Sequence, residues 1–166
     1  LAFADQKDLQ VAFSSTSRNG FAKAHEISAF SLLPLAEGAV PMMKKRGGGS
    51  IISMSFIGSN LAVPHYHVMG PAKASLEASS RYLARELGPD NIRVNVVSSG
   101  AIKTLSSAGI KDFAELMRVG AEHSAMKRTV TQEEVAQTTL FLASEASSGI
   151  TGQVIYVDCG YSIMAN

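Results

Sequence analysis

Residues 66–97 read YHVMGPAKASLEASSRYLARELGPDNIRVNVV, and this stretch decides the fold. Its first part, residues 66–88, has the pattern of a long helix closed by Gly88-Pro89, and residues 92–97 (IRVNVV) are typical of a strand. Upstream, residues 50–56 (SIISMSF) predict a second buried strand. Neither strand alternates polar and apolar residues, which indicates a parallel sheet covered by helices on both faces.

The flanking sequence continues this alternation. Residues 1–10 are expected to be a loop, and residues 17–45 a long helix that Ser17 caps and Pro34 bends. The run from Lys44 to Gly49 should end that helix, because cations suit a helix C-terminus and glycines stop it.

Three further elements are predicted downstream of the second strand. Residues 104–126 are typical of one or two short helices around Gly109, and residues 153–158 (QVIYVD) of a last strand. Thr131 should begin another helix, running to about Ala143, because Glu134 completes a capping-box pattern. The chain is therefore expected to fold as an α/β protein with a layered parallel sheet.

Bulk properties exclude several classes of protein. The 166 residues match one domain, and 46% hydrophobic against 17% charged residues indicates a globular chain. A net charge of +1 without a basic stripe gives no support for nucleic-acid binding. No apolar stretch reaches the ~20 residues of a membrane helix. A lone cysteine, Cys159, fits a reducing compartment such as the cytoplasm.

Ligands of parallel sheets bind beyond the carboxyl ends of the strands. Here those ends are residues 56–64, 98–104 and 159–161. Tyr66 and Lys73 lie next to the first of them, seven residues apart, which on a helix puts both on one face about 10 Å apart along the axis. A phenol can hydrogen-bond an oxygen that gains negative charge, and a nearby ammonium stabilises that charge. The same spacing also arises by chance in many helices.

Residues 64–113 (PHYHVMGPAKASLEASSRYLARELGPDNIRVNVVSSGAIKTLSSAGIKDF) resemble the enoyl-acyl-carrier-protein reductases, a divergent branch of the short-chain dehydrogenase/reductases. The mark of this branch is Tyr-x6-Lys, matched by Tyr66 and Lys73, whereas the wider family has Tyr-x3-Lys and position 70 here is Gly. The likeness runs from Leu1 through GITGQVIYVDCGYSIMAN. It implies a Rossmann-like doubly wound parallel sheet, with residues 1–166 as the C-terminal two-thirds of a single reductase domain.

The resemblance also implies roles for individual residues. Tyr66 would hydrogen-bond the substrate thioester oxygen, and Lys73 would hold the nicotinamide ribose. The resemblance implies cofactor contacts for Leu1, Ile102, Lys103, Thr104, Leu105 and Ser106. It implies substrate contacts for Ala4, Met69, Ile110 and Phe113.

Structural roles are open for several of these residues. Met69, Ile110 and Phe113 are equally typical of an ordinary core, and Thr104 of a helix cap. The histidines have no metal-like spacing, and His65 and His67 fit a surface loop beside Tyr66. Ser53 and Ser55 are expected to be structural.

Two departures from the family pattern concern the site. A second tyrosine, common ten residues before the catalytic one, is Phe56 here, and the usual proline before Ile102 is Ala101. The family also has an earlier part, with the first βαβ unit and its Gly-rich turn, that precedes the residue matching Leu1. We expect this sequence to be a fragment lacking that unit, and inactive alone.

The resemblance implies NADH-dependent, or else NADPH-dependent, reduction of the trans-2 double bond of enoyl-acyl-carrier-protein in type II fatty acid biosynthesis, by a cytoplasmic homotetramer. Two alternatives stay open. One is a short-chain carbonyl or alcohol dehydrogenase, which Tyr-x6-Lys disfavours. The other is a non-catalytic paralogue or truncated product, motivated by Phe56 and the absent first unit.

Overall fold

The computed structural model describes residues 2–102 and 112–165. The elements, in chain order, are α1 (Gln6–Gln10), α2 (Arg18–His25), α3 (Leu32–Lys45), β1 (Gly49–Phe56), α4 (Met69–Leu87), β2 (Ile92–Ser99), α5 (Phe113–His123), α6 (Gln132–Ala143) and β3 (Val154–Val157). Short 3-10 turns at Phe13–Ser15, Ile57–Ser59, Gly88–Asp90 and Glu145–Ser147 and a π turn at Glu26–Phe30 complete them.

The described strands form one parallel sheet in the order β1-β2-β3. β1 pairs with β2 from Gly49 opposite Ile92 to Phe56 opposite Ser99. β3 pairs with the last four residues of β2. The predicted α/β class and parallel sheet are therefore confirmed. All three strands point the same way, so their carboxyl ends meet at one edge of the sheet.

Two apolar clusters cover the two faces of the sheet. One packs α3 and α4 on the sheet through Ala29, Leu32, Ala36, Leu76, Leu83, Ala84, Leu87, Ile92 and Val94. The other packs α6 on the opposite face through Val97, Val130, Val135 and Leu142. Helices on both faces explain why the strands carry apolar residues at successive positions.

Arg93 fastens β2 to the end of α6. Its buried guanidinium donates hydrogen bonds to the carbonyl oxygens of Leu142 (2.9 Å) and Ser144 (3.0 Å) and to the Ser147 hydroxyl (2.8 Å). Carbonyls in the last turn of a helix lack partners within the helix. The arginine therefore satisfies the C-terminal end of α6.

The N-terminal half differs from its sequence prediction in two places. Residues 6–10 form α1 where a loop was expected, and the buried Asp8 carboxylate accepts hydrogen bonds from the Ser17 backbone N–H (2.8 Å) and hydroxyl (3.2 Å). The predicted 17–45 helix begins with Ser17 as its cap, but it is divided by the π turn. The division precedes Pro34, whose ring cannot tolerate the carbonyl four residues earlier.

The other predicted elements are found with shifted bounds. The helix expected over 66–88 starts only at Met69, so that prediction is wrong for Tyr66. The predicted capping box of Thr131 and Glu134 is confirmed at the start of α6. Of the region 104–126, α5 is helical as expected, and Gly109 lies outside the described residues.

Candidate active site

A cleft opens at the carboxyl edge of the sheet. Its described lining is Phe56, Ile57, Val63, Gly100, Ala101, Leu116, Gly120, Arg128, Thr129, Val130, Asp158 and Tyr161. The segments that follow β1, β2 and β3 all contribute. The three strand ends named from the sequence therefore lie together at this edge.

Tyr66 lies in the turn between this edge and α4. Its backbone N–H donates to the Val63 carbonyl (3.2 Å), and its carbonyl accepts from the Met69 N–H (3.0 Å). The neighbours His65 and His67 have left-handed φ values of 60° and 37°. The regular helical spacing expected between Tyr66 and Lys73 therefore does not apply, and the turn determines where the phenol lies.

The Tyr66 side chain is buried between β1 and the turn that follows it. Its ring meets the Phe56 ring edge-on, with centroids 4.9 Å apart. Gly58 lies so close that a Cβ there would come within 2.4 Å of Tyr66 Cδ1. Burial raises the pKa of the phenol, and the negative charge of Glu77 raises it further. Tyr66 thus stays protonated at neutral pH and can donate a hydrogen bond.

Lys73 is buried in the first turns of α4, with 7% of its surface exposed. Its Nζ donates to the Met54 carbonyl at 2.8 Å. An ammonium has three N–H donors, so this bond leaves two for other oxygens. Burial lowers the pKa of Lys73, while the negative charge of Glu77 acts in the opposite direction.

Sequence reasoning missed Glu77 in this arrangement. This glutamate is 5% exposed and accepts a hydrogen bond of 2.5 Å from the Ser55 hydroxyl. The signal that could have found it is its spacing, because Glu77 follows Lys73 by four residues on the helix face that also carries Leu76 and Ser80. The contacts of Ser55 and of Ser53, whose hydroxyl is 3.3 Å from that of Ser80, agree with the structural role expected for both serines.

The other residues predicted to contact the cofactor or the substrate lie in several different elements. Ile102 packs against the α6 face of the core. Met69 is buried, and its sulfur lies 3.8 Å from the Ser28 hydroxyl, while Phe113 begins α5 and Ala4 precedes α1. None of Ala4, Met69 and Phe113 is in the described lining of the cleft, so their substrate contacts stay predictions. Leu1, Lys103, Thr104, Leu105, Ser106 and Ile110 lie outside the described residues.

The histidines make local contacts. His65 Nε2 lies 3.8 Å from Asp112 Oδ2, its ring meets that of His67 at 6.2 Å, and His25 Nδ1 is 2.9 Å from the Phe21 carbonyl oxygen. Within residues 2–102 and 112–165, no three His, Cys, Asp or Glu side chains are grouped as metal ligands would be. The same residues contain no helix with the length and apolarity to cross a membrane.

Comparison with known proteins gives one consistent result. A family model described as "Enoyl-(Acyl carrier protein) reductase" matches residues 1–162. A Nostoc sp. protein named enoyl-acyl-carrier-protein reductase (NADH) is 54% identical over 164 residues. The match covers 99% of this chain and 63% of the relative. A Staphylococcus aureus protein named enoyl-acyl-carrier-protein reductase (NADPH) is 48% identical over 161 residues. The match covers 97% of this chain and 62% of the relative.

Solved structures agree with these sequences. The Bacillus cereus enoyl-acyl carrier protein reductase with NADP+ and an indole naphthyridinone superposes with a TM-score of 0.95 at 47% identity, covering 99% of this chain and 63% of that one. The Anaplasma phagocytophilum reductase in complex with NAD gives 0.94 at 40% identity, covering 99% and 62%. The chain thus spans a little under two thirds of the length of these relatives.

Proposed function

Because the chain belongs to the enoyl-acyl-carrier-protein reductase family, we propose that its protein reduces the trans-2 double bond of an enoyl thioester on acyl-carrier protein, a step of type II fatty acid biosynthesis. The observation that carries the proposal is that Tyr66 and Lys73 are both buried against the end of β1. The Tyr66 ring contacts Phe56, which lines the cleft, and Lys73 donates to the Met54 carbonyl. Relatives are named for NADH and for NADPH, and we propose NADH with NADPH as the alternative.

The residues present fit the nicotinamide end of such a cofactor. Lys73 is fixed by one bond to Met54 and keeps two N–H donors, enough to grip a pair of ribose hydroxyls. The proposed contacts of Leu1, Ile102, Lys103, Thr104, Leu105 and Ser106 would extend this binding along the cofactor. When bound, the reduced nicotinamide supplies the hydride for C3 of the enoyl thioester.

Tyr66 acts on the thioester oxygen in this proposal. As C3 gains a hydride, negative charge moves to that oxygen, and the protonated phenol donates a hydrogen bond to it. Lys73 adds positive charge nearby. Loss of one such donor costs about 10²–10³-fold in turnover. A proton then reaches C2 to complete the saturated thioester.

The proposal also covers the residues that contact the acyl chain and the oligomeric state of the protein. Ala4, Met69, Ile110 and Phe113 are proposed to contact the acyl chain. We propose a cytoplasmic homotetramer, and the exposure of Ile163 (79%) and Leu140 (63%) supports burial of these side chains in an assembly. The carrier protein that brings the enoyl group is the expected partner.

The experiment follows the oxidation of NADH and NADPH by absorbance, with a trans-2-enoyl thioester and the full-length protein. Tyr66→Phe should lower turnover about 10²–10³-fold and leave cofactor affinity nearly unchanged. Tyr82→Phe is the matched control, because Tyr82 lies on α4 with 76% of its surface exposed.

Two outcomes would reject the proposal. Reduction of ketones in place of enoyl thioesters would indicate a short-chain carbonyl dehydrogenase. A folded full-length protein that oxidises neither nicotinamide would indicate a non-catalytic paralogue, and Phe56→Tyr would then be the first reversion to make.

A further inference from the structure

Glu77 is a carboxylate buried in the middle of α4. It follows Lys73 by four residues, so both side chains project from one side of the helix. Its described hydrogen-bond donor is an uncharged hydroxyl, that of Ser55. A buried carboxylate is costly unless a nearby positive charge compensates it. The presence of a glutamate at this buried position therefore requires an explanation.

Two hydrogen bonds join α4 to consecutive residues of β1. The Lys73 ammonium donates to the Met54 carbonyl at 2.8 Å, and the Ser55 hydroxyl donates to Glu77 at 2.5 Å. These bonds fix one helical turn of α4 against the strand. The turn begins with the Lys73 ammonium and ends with the Glu77 carboxylate. The Lys73, Ser55 and Glu77 side chains are buried, whereas Met54, which contributes its backbone carbonyl, is 42% exposed.

The charges of this turn act on the two predicted catalytic residues. Glu77 favours the ammonium form of Lys73 against the effect of burial, and it favours the neutral form of the Tyr66 phenol. In the described part of the chain, no ion pair joins Lys73 to any carboxylate. The influence of Glu77 on Lys73 is consequently exerted across one helical turn, without direct contact.

We propose that Glu77 is a positioning residue that keeps the Lys73 ammonium charged and held on β1, so that its remaining donors face the cofactor ribose. The part concerning the ribose rests on the proposed function, whereas the coupling between Glu77 and Lys73 is a property of the fold. Glu77 acts through Lys73 and needs no contact with substrate or cofactor.

A purely structural role would have a different signature. Glutamine at position 77 retains an oxygen that accepts the Ser55 hydrogen bond and removes only the charge. A structural cross-link would therefore survive Glu77→Gln, or would be weakened equally whatever residue occupies position 73. An electrostatic role makes the effect of Glu77→Gln depend on the presence of the Lys73 ammonium.

The experiment is a double-mutant cycle in the full-length protein. Glu77→Gln, Lys73→Met and the double variant are compared with the unchanged protein for thermal unfolding and for the Kd of NADH, followed by fluorescence. Glu86→Gln is the matched control, because it removes the charge of an exposed glutamate on the same helix. Without the Glu77 charge, burial disfavours the Lys73 ammonium more strongly, so Glu77→Gln should raise the Kd, and raise it more as the pH of the assay increases.

The expected result is that Glu77→Gln changes neither Kd nor unfolding further once Lys73 is methionine. Equal effects in both backgrounds, or no effect in either, would overturn the inference. If Glu77→Gln alone does not fold, recovery of folding in the double variant supports the coupling, and its failure to fold overturns it. Absence of binding of both NADH and NADPH by the unchanged protein would reject the proposed function alone, because the unfolding cycle needs no cofactor.

Discussion

Gly58 lies directly against the ring of Tyr66: a Cβ built on Gly58 would come within 2.4 Å of Tyr66 Cδ1 and 2.7 Å of Cε1. Real side chains do not approach so closely, so any residue larger than glycine must displace the ring. Phe56 contacts the ring edge-on, with centroids 4.9 Å apart. The position of the phenol is therefore set by packing against the end of β1 and the turn that follows it.

Gly58→Ala should disable the site. A reacting group misplaced by about 1 Å can cost about 100-fold in rate, and we expect a loss of that order in kcat/KM for the enoyl thioester. The control is Gly38→Ala, because a Cβ at Gly38 in α3 meets nothing within 4 Å. Unchanged kcat/KM in Gly58→Ala would show that Tyr66 does not need this position.

Gly70→Ala should destabilise the fold. A Cβ at position 70 would lie 2.7 Å from the carbonyl oxygen of Gly58, a backbone atom that cannot swing aside. We expect a loss of about 1–3 kcal/mol in the free energy of unfolding, the usual cost of overpacking. Denaturant unfolding measures it, and a gain in stability would contradict the close approach. The same contact explains why the lysine of the shorter Tyr-x3-Lys pattern cannot occupy position 70.

Arg93→Met should destabilise the junction of β2 and α6. The substitution removes a buried donor and leaves the carbonyls of Leu142 and Ser144 without it. We expect a loss of roughly 3 kcal/mol in the free energy of unfolding, since bonds to charged groups contribute about 1.5–3 kcal/mol each. Arg85→Met, which removes an exposed arginine of α4, is the control, and an equal effect of the two variants would reject the role of Arg93.

The start of α6 should make stability depend on pH. Hydrogen bonds from Arg128, and then from Thr131, lower the pKa of Glu134 to about 2. A carboxyl whose pKa is depressed by folding stabilises the protein above its unfolded pKa of about 4.5, and this stabilisation is lost as pH falls toward 2.

Thermal unfolding of the unchanged protein and of Glu134→Gln between pH 3 and pH 7 tests this dependence. The difference in Tm should be largest at pH 7 and shrink with acidification. Glu37→Gln, which removes an exposed charge of α3, should show no such trend. A difference that stays constant with pH would contradict the role of the Glu134 carboxylate.

Regular elements were predictable because their signals are local. The β-branched runs of β1 and β2 and the capping box of Thr131 and Glu134 each depend on a few neighbouring residues. Residues 6–10 could not be predicted in the same way, because the helix there accompanies a contact between Asp8 and Ser17, nine residues apart. Tyr66 was assigned to α4 because nothing in the sequence marks left-handed backbone at His65 and His67.

The candidate site was only partly predictable for a related reason. Tyr66 and Lys73 came from a motif. The four-residue spacing of Glu77 from Lys73 is a signal, but it does not distinguish a buried glutamate from the exposed ones that are usual in helices. Its burial depends on Ser55 and on the packing of α4 against β1. These are relations between distant segments that spacing within one helix does not reveal.

The face of α4 that carries Lys73 and Glu77 also carries Leu76 and Leu83 of the core. Amide hydrogens on this part of the helix should consequently exchange with solvent only through cooperative opening of the whole sheet. The turn that holds Tyr66 lies outside this helix, and we expect it to open before that cooperative unit. Gradual heating should therefore release the tyrosine first, and the lysine only when the molecule as a whole unfolds.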